Sequence, residues 1–269
     1  MGHAEKDMVI TGNPRGRVAK AWLRQFRNQF LCFLREPAAA VFNVLVPLFI
    51  VTIEAISFGE TEAIGSSIPG LRVVDTLPAM AGVMFVMIIG LFGMSVGLSS
   101  MMESRTLAGY SLRPGGIWLV ISSYAAALLC IVALGMGISI AVLMVFWNAL
   151  PPAHIVTGIG MLLLSACLFL LVGAVIAGLT PSPRSAQGIC SAIFFPLLFL
   201  SGAIFPLDSF PSGIQLVSKI LPGHHVAELL YAAWLDNQPF PWLPFVYVLV
   251  LIAVATGLTA VVYRRREDV

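Results

Sequence analysis

The chain has 269 residues, of which 59% are hydrophobic and 10% charged, and a formal net charge of +2. A soluble domain carries roughly 25% charged residues and about 45–50% apolar ones. Composition therefore excludes a soluble globular fold and points to an integral membrane protein.

The first element reads RVAKAWLRQFRNQFLCFLR, residues 17–35. At helical spacing Trp22, Phe26, Phe30 and Phe33 share one stripe, and Arg17, Lys20, Arg24, Arg27 and Arg35 lie opposite. That pattern predicts an interfacial helix, apolar on one side and basic on the other. It suits the surface of an anionic leaflet. Pro37 ends it and turns the chain into the first apolar run. With some 37 residues before that run and no small-residue cleavage pattern after it, the run reads as a span and not a signal peptide.

A helix crossing the hydrocarbon core needs about 20 apolar residues. Six stretches meet or approach this: 38–58, 77–102, 117–146, 155–179, 189–205 and 241–262. Thirteen of the fifteen Lys and Arg flank one side of the array; Arg72 and Lys219 lie on the other. The positive-inside rule then places both termini in the cytoplasm, as an even number of spans also requires.

Glu54 is the one charged residue well inside a predicted span. It stands 17 positions after Pro37, so an outer-interface position is the expectation. The second span carries Gly82, Gly90, Gly93 and Gly97, and the step from Gly93 to Gly97 suits close helix contact. Its Met80, Met84, Phe85, Met87 and Phe92 either pack against neighbours or line an adaptable apolar path. Glu54, and Phe195 and Phe199 of the fifth span, are further candidates for that path.

The stretch FLSGAIFPLDSFPSGIQ, residues 199–215, ends the fifth span with two prolines five residues apart. Two short amphipathic segments follow. Ile214, Val217 and Leu221 share one helical face; Val226, Leu229, Leu230, Ala233 and Trp234 share another. Neither segment is long enough to cross. Helices at membrane depth that do not cross are buried in protein or lie at the interface.

The four cysteines, Cys32, Cys130, Cys167 and Cys190, show no disulfide framework and read as small buried hydrophobes. No G-x-x-x-x-G-K-[ST] loop is present, so the chain does not bind ATP by that route. The predicted spans hold no His, Asp, Lys or Arg, which disfavours a buried proton relay, a metal cluster or a histidine-dependent protease. His224 and His225 are adjacent and diverge on a helix, a poor metal pair. The chain reads as a conduit with no chemistry of its own.

Taken together these segments resemble the permease subunits of ATP-binding-cassette exporters of the second type (ABC-2), in the drug, lipid and natural-product branch. The resemblance runs over nearly the whole chain. It rests on Arg35-Glu36-Pro37 closing the basic helix, on Ser201-Gly202, Phe205-Pro206 and Pro211 at the end of span five, and on Pro222 before the 227–234 segment. In the loop 103–114, Thr106-Leu107 and Pro114 fit the spacing of the family's coupling helix. Arg105 stands where glycine is common, Ala108 where an acid is common, and the leading acidic run is reduced to Glu103.

The resemblance implies an all-α membrane protein forming one permease domain over residues 1–269. It would have an elbow helix at 17–36, six transmembrane helices, and a re-entrant segment at 206–236 between spans five and six. It implies that Glu103, Arg105, Thr106, Leu107, Tyr110, Arg113 and Pro114 couple to an ATPase. Arg17, Trp22, Arg24, Arg27, Arg35 and Glu36 would form its docking groove, and Ser201, Gly202, Phe205, Pro206 and Pro211 an outer gate. The implied partners are a cytoplasmic ATPase dimer that carries ATP and Mg, a second copy or a sister permease, and membrane lipids, with no nucleic acid. This chain itself would bind no cofactor. The implied location is a bacterial plasma membrane. Apolar, Met- and Phe-rich spans favour an amphipathic or lipid-like substrate. A polysaccharide or glycolipid exporter permease is the alternative within the family. An ion-coupled carrier would need buried midplane charges and often an internal repeat, and a membrane enzyme or scaffold a buried catalytic cluster; the sequence displays neither.

Overall fold

Helices follow one another along almost the entire chain in the computed structural model, which describes residues 14–35, 37–63, 68, 70–104, 116–202, 204, 210–236 and 239–267. The N-terminal pair is α1 (Pro14–Arg35) and α2 (Pro37–Phe58). Next comes a continuous rod built of α3 (Val73–Met87), a π-helical turn (Ile88–Gly93) and α4 (Met94–Glu103). Then follow α5 (Gly116–Trp147), α6 (Ile155–Leu179) and α7 (Pro183–Phe199). Two short helices, α8 (Ser212–Ile220) and α9 (Pro222–Trp234), precede α10 (Trp242–Glu267).

Four of these are long and apolar enough to cross a bilayer: the 31-residue rod, α5, α6 and α10 up to Arg264. Over its described side chains α2 contributes a shorter apolar helix, Asn43–Phe58. The helix nearest the expected fifth span runs from Pro183, six residues earlier than expected at each end. Its start is dictated locally. The Ser182 hydroxyl accepts from the Ser185 amide, and Pro183 occupies the first turn, where its missing N–H costs nothing.

The rod is the centre of the fold. Met80, Met84, Phe85, Met87 and Leu91 are fully buried, and α5 and α6 pack against it. Glycines set how closely. At Gly97 a β-carbon would overlap the Tyr124 hydroxyl of α5, which donates to the Gly93 carbonyl at 2.9 Å. At Gly90 the π-helical turn presses on Phe169 of α6, and Gly173 of α6 leaves room for the Gly90 carbonyl. Both helices thus approach at glycine, as small-residue packing in membranes requires. A π turn displaces the register by one residue and is often found at functional positions.

The expectation that all four cysteines are buried is corrected: only Cys190 is, beside Ser95 at 2.9 Å, while Cys32, Cys130 and Cys167 are exposed. In a membrane helix the outward face is as apolar as the inward one, so an apolar neighbourhood in sequence does not report burial.

Candidate functional site

Helix α1 lies against the start of α5. Trp22, Phe26 and Phe30 stack in sequence, with ring centroids 5.6 and 6.1 Å apart, and Phe33 is buried. Two polar ties fix the register: Trp22 Nε1 donates to Ser122 Oγ at 3.0 Å, and Ser123 Oγ donates to Gln29 Oε1 at 3.3 Å. Lys20, Arg24, Arg27 and Arg35 are exposed, opposite the aromatic stripe. Glu103 is exposed as the last residue of α4. Arg105, Thr106, Leu107, Tyr110, Arg113 and Pro114 lie outside the described residues, as do Glu36 and the side chain of Arg17.

At the opposite end α7 stops at Phe199, and the turn that follows contains Ser201 and Gly202. Ser201 is buried and its hydroxyl donates to the Leu198 carbonyl at 2.7 Å. Gly202 has φ +78°, the left-handed region. Phe205 and Pro206 lie outside the described residues; Pro211 is exposed and immediately precedes α8. Leucine at 202 must hold that same left-handed backbone, at a cost of roughly 1–2 kcal/mol. Gly202→Leu is therefore expected to lower the thermal midpoint of the purified protein and to slow transport. Normal transport in that variant would mean that the turn only braces the outer end.

The two short helices differ. In α9, Val226, Leu229, Leu230, Ala233 and Trp234 are all buried, the face read from their spacing. In α8 the buried side chain is Ser218, which donates to the Leu200 carbonyl, while Ile214 and Val217 are exposed. Among the described residues, Ile214 and Val217 of its apolar face are left uncovered, while Leu221 packs against the core.

Helix α9 is anchored at both ends. A β-carbon at Gly223 would lie 2.7 Å from Met87 Cε and 2.9 Å from the Leu197 carbonyl oxygen, so its N-terminus sits against the last turn of α3 and against α7. At its C-terminus the Trp234 and Ala233 carbonyls accept from the amides of Ala153 and His154, just before α6. Its 13 residues span about 20 Å, linking the middle of the rod to the loop between α5 and α6.

The corner between α8 and α9 is a polar clasp. Tyr247 Oη donates to the Ile220 carbonyl at 2.6 Å, and its ring centroid is 4.0 Å from that of His225. His225 Nε2 lies 3.0 Å from the Lys219 carbonyl, which only accepts, so Nε2 carries the proton. Glu228 lies between the two imidazoles, 3.6 Å from His224 and 3.7 Å from His225. Burial lowers the His224 pKa against the raising charge of Glu228, favouring the neutral ring.

The candidate path residues separate. Met84 and Phe85 are fully buried in the core, with Phe85 against Gly135 of α5. Phe92 is half-buried and meets Phe194 edge-on at 5.5 Å. Phe195 and Phe199 are exposed on α7, and Glu54 is half-buried on α2. Sequence reasoning missed one buried charge. Asp75, at the third position of α3, accepts from the Arg72 amide and guanidinium and from the Leu150 amide. An acid three residues after a helix start was the available signal.

Residues 21–235 match the profile of a family described as ABC-2 type transporter. The chain is 37% identical over 109 residues to the "Probable multidrug ABC transporter permease YbhS" of Escherichia coli K12, an alignment covering 38% of this chain and 29% of that protein. It is 25% identical over 227 residues to "Nodulation protein J" of Rhizobium leguminosarum bv. viciae, covering 81% and 83%. A second Nodulation protein J, from Rhizobium leguminosarum bv. trifolii, is 31% identical over 120 residues, covering 44% of each chain. The match therefore spans under a third of YbhS but most of the first Nodulation protein J. Long apolar helices and a family match over most of the length agree, and the chain belongs to the ABC-2 type transporter family as a membrane permease.

Proposed function

We propose that this chain is the membrane subunit of an ATP-driven exporter for an amphipathic, drug-like or lipid-like substrate, with both termini in the cytoplasm. Helices α2 and α7 serve as the first and fifth of six spans, beside the four long ones. Two permeases, identical or related, pair through the exposed faces of α2 and α7, which carry Phe49, Ile53 and Ile56 on the first and Phe195 on the second. A separate ATPase pair carries ATP and Mg and docks below, on α1 and on the loop that follows Glu103.

The observation that carries this reading is the placement of α9 and of the turn at Gly202. The chain turns at Gly202, and α9 then lies along α3 from Met87 to the Ala153–His154 loop without crossing. A non-crossing helix buried in protein supports the reading of this segment as a re-entrant outer gate. The name of YbhS supports the drug-like substrate class.

Co-purification with a candidate ATPase, followed by ATP hydrolysis and transport in the assembled complex, tests the reading. Thr106→Arg and Tyr110→Glu are expected to leave the purified permease intact but uncouple hydrolysis from transport, lowering transport by roughly tenfold or more, equivalent to about 1.4 kcal/mol of coupling. Unchanged transport in both variants removes the coupling role. Failure to assemble with any ATPase removes the exporter reading.

A further inference from the structure

We infer that His224 is an acid-operated release: a proton on its ring loosens the corner between α8 and α9 from α7 and α10. That this corner gates a path rests on the exporter reading above. The release itself rests on the structure.

Four elements meet at the corner. His225 Nε2 donates to the Lys219 carbonyl near the end of α8, and Tyr247 of α10 donates to the next carbonyl, that of Ile220. Gly223 packs against the Leu197 carbonyl oxygen of α7 and against Ser201 beyond it. The His224 ring is hydrogen-bonded with the Ser201 backbone, beside the Gly202 turn. The His224 side chain is 12% exposed and that of His225 6%. A neutral ring is accommodated there, whereas a charged one must be compensated.

The compensation is incomplete. His224 and His225 are the third and fourth residues of α9, in its first turn. A helix presents its positive end there, and a cation is disfavoured. The two rings lie 5.4 Å apart, so a charge on one opposes a charge on the other. The Lys219 ammonium opposes it too. Glu228, 3.6 Å from His224, favours the charge, and so does the Ser201 backbone. But that carboxylate is shared with His225 at 3.7 Å, and at 45% exposure it is screened by solvent. Tyr247 is the other titratable group at the corner, and its ring meets His225. Among the described residues of the neighbouring helices, Asp75 of α3 and Arg184 of α7 lie about 18 Å or more along their helices from Met87 and Leu197. On α10 the charges begin at Arg264, and α6 has none. Burial outweighs Glu228 and lowers the His224 pKa. A histidine held neutral in the closed corner adds to closure above its ordinary pKa of about 6.5, and that contribution is lost as pH falls through this value.

Hydrogen exchange of the purified full chain in lipid nanodiscs, read by mass spectrometry and corrected for the intrinsic effect of pH, tests this without any ATPase. From about pH 7.5 to about pH 5.5, protection of residues 212–230 is expected to fall roughly fivefold to tenfold relative to α6. The upper figure is the limit for one histidine about one unit below its ordinary pKa. His224→Gln keeps an amide donor for the Ser201 backbone and should abolish the fall. Glu228→Gln removes the favouring charge and should deepen it. Protection independent of pH in the unaltered protein overturns the proposal even if both variants fail to fold. So does tightening in acid, an undiminished fall in a folded His224→Gln protein, or a shallower one in a folded Glu228→Gln protein. Acid loosening in a chain that assembles with no ATPase would keep the release and remove the gate; assembly and transport with protection independent of pH would do the reverse.

Discussion

Gly173→Ala is expected to destabilise the folded chain by a net of about 2 kcal/mol, read as a lower thermal midpoint in detergent and a smaller monodisperse fraction on size exclusion. A β-carbon at 173 would overlap the Gly90 carbonyl oxygen and lie 2.9 Å from Met94 Cβ. Neither obstacle can swing aside, because one is backbone and the other is fixed to the backbone of a buried residue. Interiors packed to crystal-like density transmit such an overlap into a shift of the whole helix. The gain in helix propensity from glycine to alanine, about 1 kcal/mol, offsets only part of the overlap. The same helix supplies a control. A β-carbon at Gly160 meets nothing within 4 Å. Gly160→Ala is therefore expected to be neutral or stabilising by up to about 1 kcal/mol. An equal fall in both variants would mean that propensity or expression, and not the contact between α6 and the π-helical turn, governs the result.

Arg72→Leu is expected to cost about 3 kcal/mol, because it strands a buried carboxylate. The Asp75 side chain is 3% exposed and has the Arg72 guanidinium at 3.1 and 3.2 Å. Without Arg72 its remaining described partners are two backbone amides, those of residue 72 and Leu150. The same guanidinium donates to the Asn148 carbonyl at 3.0 Å. Asn148 has φ +50°, so the loop between α5 and α6 also loses the contact that holds its turn. That loop receives the C-terminus of α9, so the loss is expected to reach α9 and to show as faster proteolysis around residues 148–154. Adding Asp75→Leu to Arg72→Leu should recover part of the stability, since two apolar side chains leave no buried charge. A double variant no more stable than the single one would show that the hydrogen bonds to the loop, and not the stranded charge, carry the effect.

Much of this molecule was legible before any coordinates. Apolar length alone marks the rod, α5, α6 and α10 as membrane helices, because the bilayer sets a minimum length that few other segments reach. The aromatic stripe of α1 and the buried face of α9 were also readable. Each has a polar side against which periodicity is visible: the arginines in one, His224 and Glu228 in the other. The Ser201-Gly202 turn drew attention through its neighbouring prolines, although the left-handed backbone that requires glycine is a property of the fold.

Inside the long spans that contrast vanishes. Both faces are apolar, so spacing did not distinguish buried Met84 and Phe85 from exposed Phe195 and Phe199, or buried Cys190 from exposed Cys130 and Cys167. The π-helical turn is likewise silent in sequence: it meets α6 where Gly90 and Gly173 let two backbones approach, a contact between residues 83 positions apart. The pairing of Asp75 with the Leu150 amide joins distant segments in the same way. The sequence by itself determined a membrane protein with a basic amphipathic first helix and a broken fifth apolar run, because solvent imposes those patterns residue by residue. Only the tertiary structure decided which faces pack and which buried charge is paired, because those depend on what distant helices bring to the same place.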